Sequence, residues 1–321
     1  VIVTWNAKDY LVECLESLEK AENLTTEIIV VDNASTDGTA EAVRHGFPDV
    51  TLLETGENLG FSRGNNSGMK LAKGKYVCLI NPDVNVLSGC LSNMYRFMEM
   101  NRDIGLLGPA MLGRNGRVLR SGMRFPTLWN TLLRSLAADS FLKQRLNGTW
   151  LMHDFAFNEL RDMEVLNGWF WMARREAVRD VGPLDASFFM YGEDMDWCTR
   201  LRAAGWRVVF YPEAAAVHYG GGSSSNDPLR FSLEKERAQL QYWQKYHGRT
   251  SFMLFVTALC LGHALRVLGW GLIWLTWQSR RTRAVFEVEQ NFACLRQTMS
   301  FWGGGQPGKL RRTGAPDTLS P

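Results

Sequence analysis

No GxGxxG follows the first hydrophobic run, "VIVTWNAKDY". That absence removes the dinucleotide fingerprint and argues against a nicotinamide- or flavin-linked oxidoreductase. The same opening lacks the glycine-rich, basic first loop that a nucleotidyltransferase would use. Cysteine pairs are missing too: Cys14, Cys78, Cys90, Cys198, Cys260 and Cys294 are scattered, with no CxxC. They suit buried thiols in a reducing compartment and neither a disulfide frame nor a zinc site. Charge of one sign is nearly absent, at a net +3 with no long basic run, so no nucleic-acid partner is expected. No signal peptide is visible, and no initiator Met precedes Val1, so a few upstream residues are expected.

What is present is apolar material for a core, 45% hydrophobic residues in a chain of 321. That suits one large α/β domain with appendages, or two small domains. "VIVTW", "TEIIVVDN", "VTLLET" and "KYVCLINPDV" read as buried strands. Between them, "DYLVECLESLEKA" has Leu11, Cys14, Leu15 and Leu18 at helical spacing, with Asp9 as its expected N-cap. "TAEAVRHGF" reads as a helix ended by Gly46, and "FSRGNNSGMKLAKG" as a loop entering a helix that stops at Gly74. Alternating strands and helices predict a mostly parallel, Rossmann-like sheet flanked by helices, with ligands beyond the carboxyl ends of the strands.

Residues 111–165 show no clear period. Order returns with a strand and helix in "VLNGWFWMARREAVRDVGPLD" and a helix in "GEDMDWCTRLRAAGW". "RVVFYPEAAAVHYGGGSS" reads as a strand pair broken by Pro212, then a glycine-rich loop that could close as a lid. The expected organisation is an α/β domain over 1–225, an amphipathic linking helix over 226–250, apolar and basic helices over 251–302, and a disordered tail over 303–321.

The stretch 251–277 is long enough to cross a bilayer at about 20 residues per span. His263 and Arg266 stand at its middle, where a charge costs about 2.5–3.5 kcal/mol, and Gly262, Gly269 and Gly271 interrupt it. The expectation is a helical hairpin or an in-plane helix on a membrane surface, with a true span or a core or oligomer helix as alternatives. Arg280, Arg281 and Arg283 follow directly and suit anionic headgroups.

The polar clusters fall where strands end. In "VVDNASTDGT", Asp32 closes a buried strand and could accept from a nucleobase or ribose, while Asp37 and Gly38 could cap the next helix. In "INPDV", Asp83 also follows a buried strand and could hold Mg²⁺ or Mn²⁺ against a diphosphate. "YGEDMDW" offers Glu193, Asp194 and Asp196 in the first turn of a helix, where acids also complement the helix dipole. Asp196 with Arg200 reads as a surface i,i+4 pair. His218 ends the strand "AAAVHY", and Trp169 or Trp171 could stack on a sugar ring.

"VIVTWN", "VVDNASTDGT", "ENLGFSRGNN", "INPDV", "FFMYGEDMDWCTRLRAAGW" and "VHYGGGSS" occur in the order seen in inverting family 2 glycosyltransferases of GT-A fold. Over residues 1–225 the chain resembles the rhamnosyltransferase-like branch acting on bacterial polysaccharide. The resemblance implies nucleotide contacts from Thr4, Asn6, Asp32, Asn33, Asn58, Gly60 and, most weakly, Arg63. It implies metal contacts from Asp83 and His218, with Asn81 standing where the first Asp of the usual DxD would be. It implies Asp194 as catalytic base, with Glu193 and Asp196 as runners-up, and acceptor contacts from Trp169 and Glu193. The implied partners are a dTDP-, UDP- or GDP-linked sugar, a glycan or polyprenyl-linked acceptor, and the cytoplasmic face of the inner membrane. A nucleotidyltransferase and a non-catalytic nucleotide-sugar binder remain the competing readings.

Overall fold

The computed structural model describes residues 1–19, 24–135, 152, 155–220 and 227–302. The glycine-rich loop after Gly220 and the tail from residue 303 lie outside the described residues, so the expected lid and disordered tail do too. Strands β1 (Ile2–Thr4), β2 (Ile29–Asp32), β3 (Thr51–Glu54) and β4 (Tyr76–Ile80) alternate with helices α1 (Lys8–Glu19), α2 (Thr39–Gly46) and α3 (Gly60–Leu71). Asp9 lies inside the first turn of α1 instead of capping it, and α3 takes up most of the expected loop, stopping at Leu71. Next come β5 (Val84–Val86), α4 (Cys90–Met100), β6 (Ile104–Leu112), β7 (Gly122–Met123) and α5 (Leu128–Ser135). Then follow β8 (Arg161–Asp162), β9 (Val165–Leu166), β10 (Phe170–Arg174), α6 (Arg175–Val181), α7 (Glu193–Ala203) and β11 (Arg207–His218). The chain continues as α8 (Pro228–Tyr246), α9 (Arg249–Thr276), a 3₁₀ turn and α10 (Arg281–Ser300).

One sheet runs in the order β3-β2-β1-β4-β10-β6-β11-β5, with β8 beside β11. β1–β4, β6 and β11 point one way, while β5, β8 and β10 oppose them. The sheet is buried on both faces, so its strands read as unbroken apolar runs. Val31, Leu79, Leu106, Trp171 and Phe210 enter one core. Their neighbours Val30, Ile80, Leu107, Phe170 and Val209 enter the other, as the two-residue pleat requires.

α4 and β6 went unanticipated in the sequence. Gly105, Gly108 and Pro109 give β6 a loop's composition, yet eight of its nine residues are buried. A Cβ on Gly105 would come within 2.7 Å of Trp206 Cβ, so the glycine serves close packing and not a turn. The expected break at Pro212 is absent. β11 is one strand whose register slips between Tyr211, opposite Pro109, and Ala215, opposite Ala110. The extra residues are absorbed as a bulge.

α9 is likewise a single unbroken helix of 28 residues. Gly262 does not break it; a Cβ there would lie 2.8 Å from Ser135 Cα, so the glycine admits α5. α9 packs along α10, the two joined by a short turn. His263 is buried between them: Nδ1 is 3.0 Å from Asn291 Oδ1 and Nε2 is 2.9 Å from Glu236 Oε1. Asn291 Nδ2 donates to Glu287 O, which turns its oxygen toward the histidine. Both ring nitrogens therefore lie within hydrogen-bond distance of a side-chain oxygen, which ties α9 to α8 and α10.

Candidate active site

The carboxyl ends of β1, β4 and β11 open onto a cleft of about 450 Å³, closed on its far side by α7 and α8. Thr4, Asn33, Asn58, Gly60, Asp83, Trp169, Glu193, Asp194 and His218 all line it. Sequence positions from 4 to 218 are thus gathered at one edge of the sheet, where α/β ligands bind.

The β1–β2 end is built from interlocked loops. Asn33 Nδ2 donates to Gly60 O at 3.0 Å, and Gly60 N donates to Asn58 Oδ1 at 2.9 Å. Gly60 has φ +76, and a Cβ there would lie 2.4 Å from Phe189 O. Phe61 N donates to that same carbonyl at 2.7 Å, fixing the 185–192 segment over the cleft. Thr4 Oγ is buried without a hydrogen-bond partner. Asp37 accepts from Lys8 N and Thr39 N and so shapes its turn.

Three expected nucleotide residues do not reach the cleft wall. Asn6 accepts from Thr36 N at 2.7 Å and braces the β2–α2 loop. Asp32 is buried behind Thr4 and Asn33, and both its oxygens receive Ser35 N–H. Burial raises its pKa, against the lowering effect of Ser35. Arg63 is not in the cleft lining and donates to Ala186 O at 3.3 Å. It sits on α3, one turn past the loop it was expected to occupy.

At the β4–β11 end, Asp83 Oδ1 is 3.3 Å from His218 Nε2. The Asp83 carbonyl accepts from Tyr219 N, tying the two loops. The His218 ring stacks on Trp169 with centroids 4.7 Å apart. Trp169 O in turn accepts from Asn81 N at 2.9 Å. Trp169 is therefore the cleft aromatic, while Trp171 is fully buried in the core.

The two side chains fit a hard cation, since two ligands about 2.1 Å from one metal in octahedral geometry stand about 3 Å apart. No cluster of three His, Cys, Asp or Glu exists among the described residues. Any such cation would draw its remaining ligands from a diphosphate and water, the habit of Mg²⁺ at phosphate sites.

The first turn of α7 supplies the opposite wall. Gly192, with φ +77, caps the helix, and a Cβ there would crowd Phe188 and Ala238. Asp194 accepts from Met195 N at 2.8 Å and faces the cleft. Desolvation raises its pKa to about 6, offset in part by backbone N–H groups and Lys235. Glu193 is buried, its Oε2 without a partner. Burial, and then the Asp194 charge, hold its carboxyl well above the usual range.

Asp196 belongs to another environment. It is fully buried and accepts from Arg200 at 2.8 Å, Lys245 at 2.6 Å and Tyr246 at 2.7 Å. The Asp196–Arg200 pair is interior, not on the surface, and it clamps α8 to α7. That saturation removes Asp196 as an alternative base.

The sequence reading missed the wall formed by α8. Phe231, Lys235, Ala238 and Gln239 line the cleft at helical spacing, with Arg230 beside them. Arg230 lies over Trp5 at 5.6 Å and over Phe189 at 5.8 Å. The i, i+4, i+7, i+8 pattern was present, but it also describes a helix facing any core.

A family model described as Glycosyl transferase family 2 matches residues 1–182. An N-acetylglucosaminyl-diphospho-decaprenol L-rhamnosyltransferase of Mycobacterium tuberculosis is 29% identical over 239 residues, covering 71% of this chain and 78% of that protein. A rhamnosyltransferase of Escherichia coli is 25% identical over 228 residues, covering 68% of this chain and 82% of its own. Among solved structures, a mannosyltransferase from Pyrobaculum calidifontis in complex with GDP-Man and Mn²⁺ superposes over 93% of this chain and 85% of its own, at TM-score 0.55 and 18% identity. The likeness in fold is that of the GT-A class, and the sequence match runs from β1 through α6. The chain belongs to glycosyl transferase family 2 and is a glycosyltransferase that uses a nucleotide-sugar donor.

Proposed function

We propose that this enzyme transfers a rhamnosyl unit, with inversion, from a nucleoside-diphosphate donor to a hydroxyl of a polyprenyl-diphosphate-linked glycan in cell-surface polysaccharide synthesis. The observation that carries the reading is the pairing of two unlike walls across one cleft. Asp83 and His218 stand at the strand ends, and a half-buried Asp194 with its pKa raised to about 6 stands on α7. The rhamnosyl and lipid-linked assignments are supported by the named activities of the two relatives. Met123, Trp169, Phe189, Met190 and Phe231 give the cleft an apolar lining suited to a 6-deoxy sugar and a sugar face.

Thr4, Asn33 and Asn58 hold the nucleotide end, with Asp32 behind them. Asp83 and His218 would hold Mg²⁺ or Mn²⁺, which when bound neutralises charge on the diphosphate. Asp194 accepts the proton of the acceptor hydroxyl as its oxygen bonds to the anomeric carbon and the nucleoside diphosphate departs from the other face. At neutral pH Asp194 is ionised, yet more basic than an ordinary aspartate, which suits a general base. Glu193, its carboxyl held well above the usual range by burial and the Asp194 charge, offers a hydrogen-bonding group for an acceptor oxygen. Trp169, braced by His218, offers a flat face for the sugar.

The test is a panel of dTDP-, UDP- and GDP-linked sugars with Mg²⁺ or Mn²⁺ and a polyprenyl-diphosphate-linked acceptor. Nucleoside diphosphate release from one donor, lost in Asp194→Asn while nucleotide binding persists, is the expected result. Neither release nor binding with any donor would overturn the reading.

A further inference from the structure

We propose that the outward face of α9 docks flat on an anionic lipid bilayer, with the arginines that follow it set against the headgroups. Leu254, Leu261, Leu265, Leu268, Leu272 and Leu275 are 42–66% exposed. Their spacing places them along one face of the helix. The positions flanking this stripe, Gly262, Ala264, Gly269, Gly271 and Thr276, carry no charge. A leucine seam that pairs with another helix in water is ordinarily flanked by charged positions. This stripe has none, so hydrocarbon fits it better than a second copy of the chain.

The distal end supplies the second observation. Arg280 lies over Trp277 at 5.0 Å, Arg281 over Trp274 at 5.4 Å and Arg283 over Trp270 at 5.5 Å. Trp274 and Trp277 are themselves about half exposed. Tryptophan seeks the membrane–water boundary, and arginine there meets anionic lipid. Among the described residues, Glu287, 3.7 Å from Arg283, is the one acidic group paired with these three arginines.

The helix lies flat because its other face is occupied. Phe252, Phe255, Val256, Ala258, Gly262 and His263 are buried against the body of the protein. Crossing the bilayer would strip His263 from Glu236 and Asn291 and place Arg266 in hydrocarbon, a large penalty. Length is no obstacle, since the helix is apolar enough to span; its packing is. Glu236 is flanked on α8 by Lys235 and Gln239, which line the cleft. The docked helix therefore holds the cleft wall near the membrane plane, which rests on the reading of a lipid-linked acceptor for its purpose.

The experiment sediments the full chain with preformed vesicles, using neither donor nor acceptor, so it can fail independently of sugar transfer. Binding is expected to vesicles of phosphatidylcholine with phosphatidylglycerol, and much less to phosphatidylcholine alone. Joint Arg280→Ala, Arg281→Ala and Arg283→Ala substitution should weaken binding at least about tenfold. Leu268→Asp with Leu272→Asp should abolish it while circular dichroism and melting stay close to those of the parent. A fluorophore on Leu268→Cys should be quenched more by a shallow nitroxide lipid than by a deep one. Three results would overturn the proposal: no vesicle binding, stronger quenching from the deep position, or a vesicle-indifferent dimer that the leucine substitutions split.

Discussion

Asp194 and Asp196 are two residues apart on the first turn of α7, yet they stand in opposite regions of the molecule. Asp194 faces the cleft and accepts from backbone N–H, and desolvation raises its pKa to about 6. Asp196 faces the interior and is saturated by Arg200, Lys245 and Tyr246. One carboxylate is desolvated at the cleft wall, which makes it more basic than an ordinary aspartate. The other is given every partner it can use and ties α8 to the sheet domain. Under the proposed mechanism, identical chemistry on one helix turn is divided between a proton acceptor and a scaffold by what each side chain meets.

Substitution by asparagine should separate the two most sharply. Asp194→Asn should lower kcat by about 10²–10⁴-fold, the usual worth of a general base, with nucleotide affinity unchanged by calorimetry. Its effect on stability should have the opposite sign. A carboxyl whose folded pKa is raised stabilises the fold fully only below its unfolded pKa, and that contribution is lost as pH rises through about 6. Above that pH, Asp194→Asn should be more stable than the parent by roughly 1–2 kcal/mol, allowing for part exposure; at pH 4 thermal melts of the two should converge.

Asp196→Asn should cost about 2–3 kcal/mol in denaturant titrations. That falls below the usual penalty for orphaning a buried pair because Lys245 keeps Asp185 at 2.6 Å. Donor turnover by the fraction that remains folded should change little. A stable Asp196→Asn protein with no turnover would break the comparison.

Smaller effects sharpen it further. Asp83→Asn should raise the divalent-metal concentration needed for half-maximal turnover at least about tenfold, with little change in melting temperature. Arg63→Ala should leave both activity and stability within about 0.5 kcal/mol, because Arg63 donates to Ala186 O on the outer surface. A tenfold loss of donor affinity in that variant would return Arg63 to the cleft.

Much of this was legible in the sequence. Buried parallel strands read as apolar runs, and polar residues closing each run mark the carboxyl edge, which is how Asp32 and Asp83 were found; Thr4 and Asn33 came from the resemblance. Other features depend on partners far along the chain. The Asp196–Arg200 spacing is the same on a surface or in a core; burial comes from Lys245 and Tyr246, about fifty positions on. His263 suggested a break or a membrane surface because a lone histidine in an apolar helix is costly. Glu236 and Asn291 meet it only once α8, α9 and α10 have packed. β6 stayed hidden because its glycines answer to Trp206 and Leu166, whose positions composition does not reveal.

The most direct test of the account is the pH dependence of kcat/KM for sugar transfer, parent against Asp194→Asn, at saturating metal. The parent should lose rate as pH falls through about 6, the protonation of Asp194. Asp194→Asn should be uniformly slow, with that limb gone. An Asp194→Asn enzyme that keeps both the parental rate and the same acid limb would show that the base is another group.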